Sequence, residues 1–427
     1  MIPRRGQLII GCSTLPNALP AQRRTRRAII IGGSMSGLFA AAFLKLIGWD
    51  ADVYERSRVE LVGRGAGITT HPELLQALEK SGAGVRELGV AVERRIVLDR
   101  DGRVIAARHL PQILTSWDRL QRLLRTTIDP ARYHLGWTFE GVEQDGSGVS
   151  VHFSGGRIEH GDILVGGDGI RSAVRSSILP AVQPIYAGYY IWRGAPMEAD
   201  LTPRARRELF PYFSFFLPPQ QQVICYPIAG FDDDLRPGHR RFNFIWYRVA
   251  EASQLRQMCV DDAGHQHDYS VPPGRIRKEL IAGLRREGEA ALPPVLNDCL
   301  RAIGQPFFTP IYDFIAPRIV DGRVALVGDA ASNARPHMGF GVSKAACDAE
   351  ALAAALAAHD DIDRALAEYN RIRQPVGELI VRHSRKLGTY MGVNLLNDED
   401  RAMHARLQEP GAMMDWIAVP NFLAAYA

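Results

Sequence analysis

Acidic residues are missing from the first 27 positions, which hold six arginines (4, 5, 23, 24, 26 and 27). Removing those six from the 51 basic residues leaves 45 against 47 acidic ones, so the body is slightly acidic although the whole chain carries +4. That balance excludes a nucleic-acid-binding body, where basic residues cluster on the fold itself. No apolar run approaches the ~20 residues of a membrane helix, so no membrane partner is expected. Cysteine is scarce: positions 12, 225, 259, 299 and 347 form no CxxC pair and no metal spacing. The scatter excludes a disulfide framework and a zinc site, and suits reduced thiols in a cytoplasm. Arg4-Arg5 resembles a twin-arginine export signal, but the stretch LIIGC is too short for an export core. Residues 1–27 read as a basic, disordered extension.

What is present is a globular composition, 46% hydrophobic and 23% charged over 427 residues, enough for two interleaved domains. An apolar run at 28–31, a helical pattern at 36–47 and a second apolar run at 51–54 predict a βαβ unit. A Gly loop, GRGAGI (63–68), and a helix at 71–79 follow. A helix is predicted over 115–128, with Leu120, Leu123 and Leu124 on one face. A strand over 157–165 ends at Gly166-Gly167-Asp168-Gly169. From 185 to 250 the chain is aromatic and strand-like (YAGYYIWRG, YFSFFL, QVICYPI, RRFNFIWYRV), interrupted by turn signals. This predicts an antiparallel sheet with one face against something apolar. Residues 274–303 read as helical, 323–327 as a strand, and 339–358 and 361–387 as long helices. The fold class expected is α/β: a Rossmann-like domain interrupted by an antiparallel-sheet domain, with C-terminal helices.

Three motifs carry chemistry. GGSMSG (Gly32, Gly33, Ser34, Met35, Ser36, Gly37) follows a strand and opens a helix, the context of a dinucleotide loop. A helix N-terminus there offers free N–H groups and a positive partial charge to a pyrophosphate. Ser34 replaces the usual middle glycine; it either bonds phosphate or caps the helix. Glu55 closes the second strand 23 residues after Gly32, where a carboxylate accepts from ribose hydroxyls. Arg56 is its neighbour. Asp168-Gly169 and Gly328-Asp329 each end a further apolar strand. One such Asp reads as a turn or cap, but two, with GGSMSG, point to a cofactor.

In this order the motifs resemble the single-component FAD-dependent aromatic hydroxylases of the p-hydroxybenzoate hydroxylase type, over about residues 28–390. The resemblance implies FAD with NADH or NADPH as co-substrate, O2, and transfer of a hydroxyl to an electron-rich ring through a flavin hydroperoxide. It assigns the pyrophosphate to the first loop, the adenosine ribose to Glu55, further FAD contacts to Arg64, Gly65, Ala66 and Gly67, and FAD and NAD(P)H contacts to Asp168. It assigns the ribityl–phosphate portion to Gly328 and Asp329, and the flavin's pyrimidine edge to the helix start at Gly339, Phe340 and Gly341. It divides the chain into the extension 1–27, a first FAD-binding segment (28–180), a substrate-binding sheet domain (181–312), a second FAD-binding segment (313–395) and a helical tail (396–427), and implies a homodimer. An Arg expected ahead of Leu120 is replaced by Trp117, leaving Arg119 or Arg122 to serve.

GGS in the first loop, GRGAGI, TSWDRL, YIWRG, HDYSVPPG and GDAA-x-x-ARPH further resemble the hydroxypyridine hydroxylases, whose ring is of the 2,6-dihydroxypyridine kind. Register with the family places Tyr190, Phe215, Tyr226 and Trp246 in the substrate pocket. Their alternative is plain core packing. Pro336 matches a loop proline whose carbonyl meets the substrate hydroxyl, and His337 is the candidate base. Ile228 stands where benzoate hydroxylases carry an acid-binding Arg, which favours a neutral, polyhydroxylated ring. Other flavin chemistries (epoxidase, reductase, halogenase) or a non-catalytic FAD binder are the alternatives; the absence of a W-x-W pair among six tryptophans speaks against a halogenase.

Overall fold

The computed structural model describes residues 25–61, 67–409, 411–420 and 422. Most of the extension expected over 1–27, together with the predicted cofactor residues Arg64, Gly65 and Ala66, lies outside the described residues. Two large sheets organise the rest.

The first sheet has six strands, ordered Val320–Asp321, Val324–Leu326, Ile163–Gly166, Arg27–Ile31, Asp50–Glu55 and Tyr133–Leu135. All neighbours are parallel except the edge pair Val320–Asp321 and Val324–Leu326. Its central strands are continuous apolar runs because both faces are covered. Helices Met35–Leu46 and Gly341–Ala358 pack on each other beside it. A three-stranded antiparallel sheet of Phe139–Gln144, Val149–Phe153 and Arg157–Gly161 lies against the strands Arg27–Ile31 and Ile163–Gly166. The predicted strand 157–165 is therefore two strands in different sheets. The break is Asp162, whose carboxylate accepts from the Arg27 backbone N–H at 2.7 Å.

The second sheet has nine strands, ordered Ser332–Asn333, Phe307–Ile315, Ile185–Gly194, Arg241–Val249, Gln221–Ile228, Tyr212–Phe216, Val90–Leu98, Val104–Ser116 and Gly67–Thr69. It is antiparallel except where Tyr212–Phe216 lies parallel to Val90–Leu98. Residues 90–116, expected in the first cofactor-binding segment, thus supply two strands to the sheet assigned to 181–312. The predicted helix 115–128 starts only at Trp117: Thr115 and Ser116 finish a strand, and the Ser116 hydroxyl caps the helix by accepting from the Arg119 N–H.

Period-two alternation gives this sheet two different faces. Tyr190, Trp192, Phe244, Trp246 and Phe308 pack in one cluster with residues of helices Pro203–Leu209, Ala252–Met258, Lys278–Ala291 and Pro294–Ala302. Tyr189, Ile191, Phe213, Tyr226, Ile245 and Tyr247 belong to another, with Met413, Met414, Ile417 and Ala418 of the tail. The predicted helical stretch 274–303 divides at Leu292-Pro293, and that predicted over 339–358 begins at Gly341. Among the described residues no helix is long and apolar enough to cross a membrane, and no acid, His and Cys cluster could hold a metal.

Candidate active site

Where the strand Arg27–Ile31 ends, Gly32 turns at φ +108°, and a Cβ there would lie 2.5 Å from the Gly167 carbonyl oxygen. Only glycine fits that turn. The helix Met35–Leu46 opens just beyond it. Its cap residue Ser34 makes no side-chain capping bond, and its first turn holds no acid. The helix N-terminus and the Ser34 hydroxyl both remain available to an anion. Glu55 is held in place by two backbone donors, Gly33 N–H at 2.9 Å and Ser57 N–H at 2.8 Å.

Gly328 joins the second motif to the first. It sits at φ +60°, and a Cβ there would lie 2.1 Å from the Ser36 hydroxyl. Its peptide is clamped from both sides. Asp348 accepts from its N–H at 3.0 Å, and Lys344 donates to its carbonyl at 2.7 Å. Asp348 also binds Lys344 at 2.8 Å and Arg373 at 2.9 Å, and all three side chains are almost fully buried. Sequence reading missed this triad. Its signal was a Lys and an Asp four residues apart in the otherwise alanine-rich helix Gly341–Ala358.

These elements line a cleft of about 430 Å³ with Gly32, Ser34, Met35, Ser36, Glu55, Arg56, Trp117, Trp137, Asp168, Asp329 and Gly341 on its walls. Trp117 is on that wall. Arg119 and Arg122 instead reach Asp233, at 3.2 and 3.1 Å. Asp168 lines the cleft too, but both its oxygens are engaged. They accept from the Ser172 hydroxyl and from the Ala173 and Val174 N–H groups at the start of a short helix. The capping alternative therefore holds for Asp168. Asp329 makes no such bond among the described residues, and burial raises its pKa. A backbone cradle, an uncommitted hydroxyl at a helix N-terminus and a fixed carboxylate fit a dinucleotide cofactor.

A second cavity of about 380 Å³ adjoins it, sharing Arg171, Asp329, Gly341 and Val342 as walls. The nine-stranded sheet lines it with Arg193, Phe213, Ile224, Tyr226, Ile245, Tyr247 and Ile311. Across from these lie Pro336, His337, Gly339 and Phe340, with Gly67 at the rim. Of the four predicted pocket residues only Tyr226 lines it. Tyr190 and Trp246 face the helices on the opposite side, one residue out of phase with Ile191 and Tyr247. Phe215 has the right face but packs behind Phe213, ring centroids 4.9 Å apart. The physical reason is the strand period: a register error of one residue moves a side chain through the sheet.

His337 is not placed to take a proton. The residue is 1% exposed. Nε2 accepts from the Tyr189 hydroxyl at 2.8 Å, and Nδ1 donates to the Gln222 side-chain oxygen at 3.2 Å, the tautomer this network requires. The ring stacks on Tyr247 at 4.8 Å. Burial, aided by the nearby Arg335 charge, pushes its pKa down to about 3. Burial raises the phenols of Tyr226 and Tyr247, so both stay protonated at neutral pH.

The tail closes the cavity, which sequence reading did not foresee. Ile417 and Ala418 are on its wall. The fully buried Arg95 donates to the carbonyls of Met414 (3.1 Å), Ile417 (2.5 Å) and Ala418 (2.7 Å), and lies over the Phe213 ring at 4.7 Å. The Ala418 N–H donates to the His337 carbonyl at 3.1 Å.

The fold and its two joined cavities fit a dinucleotide cofactor beside a small bound molecule, and comparison with known proteins names that cofactor. Residues 186–313 match an FAD binding domain-like model, and residues 296–384 match an FAD binding domain model. The chain is 31% identical to 2,6-dihydroxypyridine 3-monooxygenase of Paenarthrobacter nicotinovorans, over 91% of this chain and 94% of that protein. It superposes on the solved 2,6-dihydroxypyridine-3-hydroxylase from Arthrobacter nicotinovorans with a TM-score of 0.82 at 30% identity, covering 87% and 93% of the two chains. Klebsiella pneumoniae HpxO, solved with FAD and uric acid, gives a TM-score of 0.73 at 26% identity, covering 92% and 97%. The chain belongs to the FAD-dependent aromatic-ring monooxygenases, and FAD is its cofactor.

Proposed function

We propose that this enzyme hydroxylates an electron-rich, hydroxylated aromatic or heteroaromatic ring of the 2,6-dihydroxypyridine kind, using NADH or NADPH and O2. The observation that carries this reading is the continuity of the two cavities. A ring held against Tyr226, Tyr247 and Ile311 lies beside Asp329 and Gly341, which also bound the cofactor cleft. FAD, when bound and reduced by NAD(P)H, activates O2 and supplies the oxygen atom.

The chain's own groups bind, orient and keep out water. The N-terminus of helix Met35–Leu46 and Ser34 hold the pyrophosphate, Glu55 the adenosine ribose, and Asp329 the ribityl chain. Arg56 completes the adenosine side and Asp168 stiffens its loop, whereas Gly67, expected at the cofactor, lies on the ring pocket beside Tyr226 and Asn243. The start of helix Gly341–Ala358, after Gly339 and Phe340, would turn its positive end toward the cofactor ring and favour an electron-rich state of it. The Pro336 carbonyl accepts from a ring hydroxyl. Tyr226 and Tyr247 offer hydroxyls as donors. His337 acts as a wedge that fixes Tyr189 and Tyr247, not as a base. Residues 417–418 cover the pocket, and Arg95 keeps them there.

The enzyme works as a homodimer joined through the helices of 361–427, which light scattering of the holoenzyme checks. A reducing cytoplasm suits the burial of Cys225, Cys259, Cys299 and Cys347 among the described residues. The function is tested by NAD(P)H oxidation with the FAD-loaded protein, counting peroxide in parallel, on 2,6-dihydroxypyridine, other hydroxypyridines, 4-hydroxybenzoate and simple phenols. Fast oxidation with little peroxide on one ring is expected. Oxidation matched by peroxide on every ring, or none at all, removes the reading.

A further inference from the structure

The ring pocket contains a cation without a counter-charge. Arg193 lies on the strand Ile185–Gly194, in phase with Tyr189 and Ile191, and its side chain lines the pocket. It makes no hydrogen bond or ion pair with any described residue, and its Nε is buried without a partner. Other cations nearby are already engaged. Arg335 is paired with Asp313 at 2.6 Å, and Arg171 lies over the Tyr269 ring at 4.3 Å, at the cofactor end. Two phenols, Tyr226 and Tyr247, stand close enough to feel the Arg193 charge, and neither hydroxyl has an acceptor among the described residues. A half-buried guanidinium with nothing to pair with is costly unless a ligand supplies the missing charge.

We propose that Arg193 is the anion-binding residue of this pocket, and that the ring enters already carrying a negatively charged oxygen. The inference rests on the ring-hydroxylase reading and reverses the expectation of a neutral ring drawn from Ile228, which is fully buried outside the pocket. It also explains how the pocket works without a base on its sheet wall. The His337 nitrogens are both bonded, the two phenols are donors, and Asp329 sits at the cofactor junction. The ring hydroxyl therefore loses its proton to solvent before binding, and the electron-rich anion is held by one guanidinium and two phenol donors. The charged oxygen is either an ionised ring hydroxyl or a carboxylate on the ring.

The test is binding to the FAD-loaded protein, read by perturbation of the oxidised flavin spectrum. The probes are 2,6-dihydroxypyridine for the ring oxyanion, 4-hydroxybenzoate for the carboxylate, and resorcinol as a ring neutral at pH 7. The wild type is expected to bind one of the first two at least about 10-fold more tightly than resorcinol. If the oxyanion is the source, affinity for 2,6-dihydroxypyridine rises with pH through its ionisation. Arg193→Gln is expected to weaken that anion about 10- to 100-fold, to leave resorcinol within about 3-fold, and to flatten the pH dependence. Arg193→Lys, which keeps the charge and most of the side-chain bulk, falls between and decides the matter if the Gln variant does not load FAD. A wild type that binds resorcinol as tightly as both anions overturns the inference, as does a variant that keeps the anion preference. Binding needs no turnover, so the two readings fail separately. An Arg193-dependent anion preference without coupled NAD(P)H oxidation keeps the subsite and removes the hydroxylase. Coupled turnover of a neutral ring, indifferent to Arg193, does the reverse.

Discussion

The cofactor cleft and the ring pocket share walls at Asp329 and Gly341, yet they are built by different means. The cleft is made largely of main chain. It relies on two glycines at positive φ, a helix N-terminus, and a carboxylate pinned by two N–H groups. The pocket is made largely of side chains, from seven strands of the nine-stranded sheet, facing a loop and a tail that is far away in sequence. A main-chain site is intolerant at a few positions and indifferent at the rest. A side-chain pocket spreads its dependence over many residues, each of which can be exchanged at modest cost. The family can therefore keep one cofactor while its rings vary.

The largest expected effect tests the frame of the cleft. Asp348→Ala leaves Lys344 and Arg373 buried without their carboxylate, a loss of about 3–5 kcal/mol in urea unfolding, with flavin released early in the transition. A loss below about 1 kcal/mol would mean the triad does not hold Gly328. Next, Gly32→Val places a side chain against the Gly167 carbonyl; FAD affinity should fall by about 100-fold or more while the far-ultraviolet circular dichroism stays native. A yellow protein with full flavin occupancy breaks the main-chain account.

Acid stability sharpens the comparison from the pocket side. His71 and His337 are held neutral by burial, at about 3, and His383 at about 4, against an ordinary value of 6.5. The folded values are depressed, so the unfolded chain binds these protons first. Stability is complete above about pH 6.5 and drains away as pH falls toward 3, by up to about 1.4 kcal/mol per pH unit for each histidine. Denaturation midpoints between pH 7 and 5 measure it, and His337→Asn should shallow the slope. A slope that is the same in the variant places His337 in water.

The smallest effects separate the two faces of the sheet. Tyr226→Phe and Tyr247→Phe should each weaken ring binding by about 3- to 10-fold without loss of flavin. Trp246→Phe and Tyr190→Phe should leave ring affinity within about 2-fold and lower stability by about 1 kcal/mol. The reverse pattern would restore the register expected from sequence.

Legibility follows the same division. GGSMSG, Glu55, Asp329 and the glycine-rich start of the helix Gly341–Ala358 are local features, and each could be read where it stands because its chemistry depends on a few adjacent residues. Asp168 was legible as a strand end, but its two capping bonds were not. In the sheet, aromatic runs revealed strands without revealing phase: IWRG contains both Trp192, which faces the helices, and Arg193, which faces the pocket. The strands of 90–116 escaped notice because arginines and a proline break their alternation. Arg95 and the tail it anchors are more than 300 residues apart, and no spacing rule links them.

The chain by itself determined the class of fold, the cofactor and the places where the backbone must bend or open, because glycine conformation, helix polarity and apolar periodicity are properties of short segments. Only the tertiary structure decided which aromatic rings face the second cavity, that His337 is locked between Tyr189 and Gln222, and that the Arg193 side chain has no partner among the described residues. Those depend on strand phase and on contacts between distant segments, and a single residue of shift along a strand exchanges the inside of the pocket for its support.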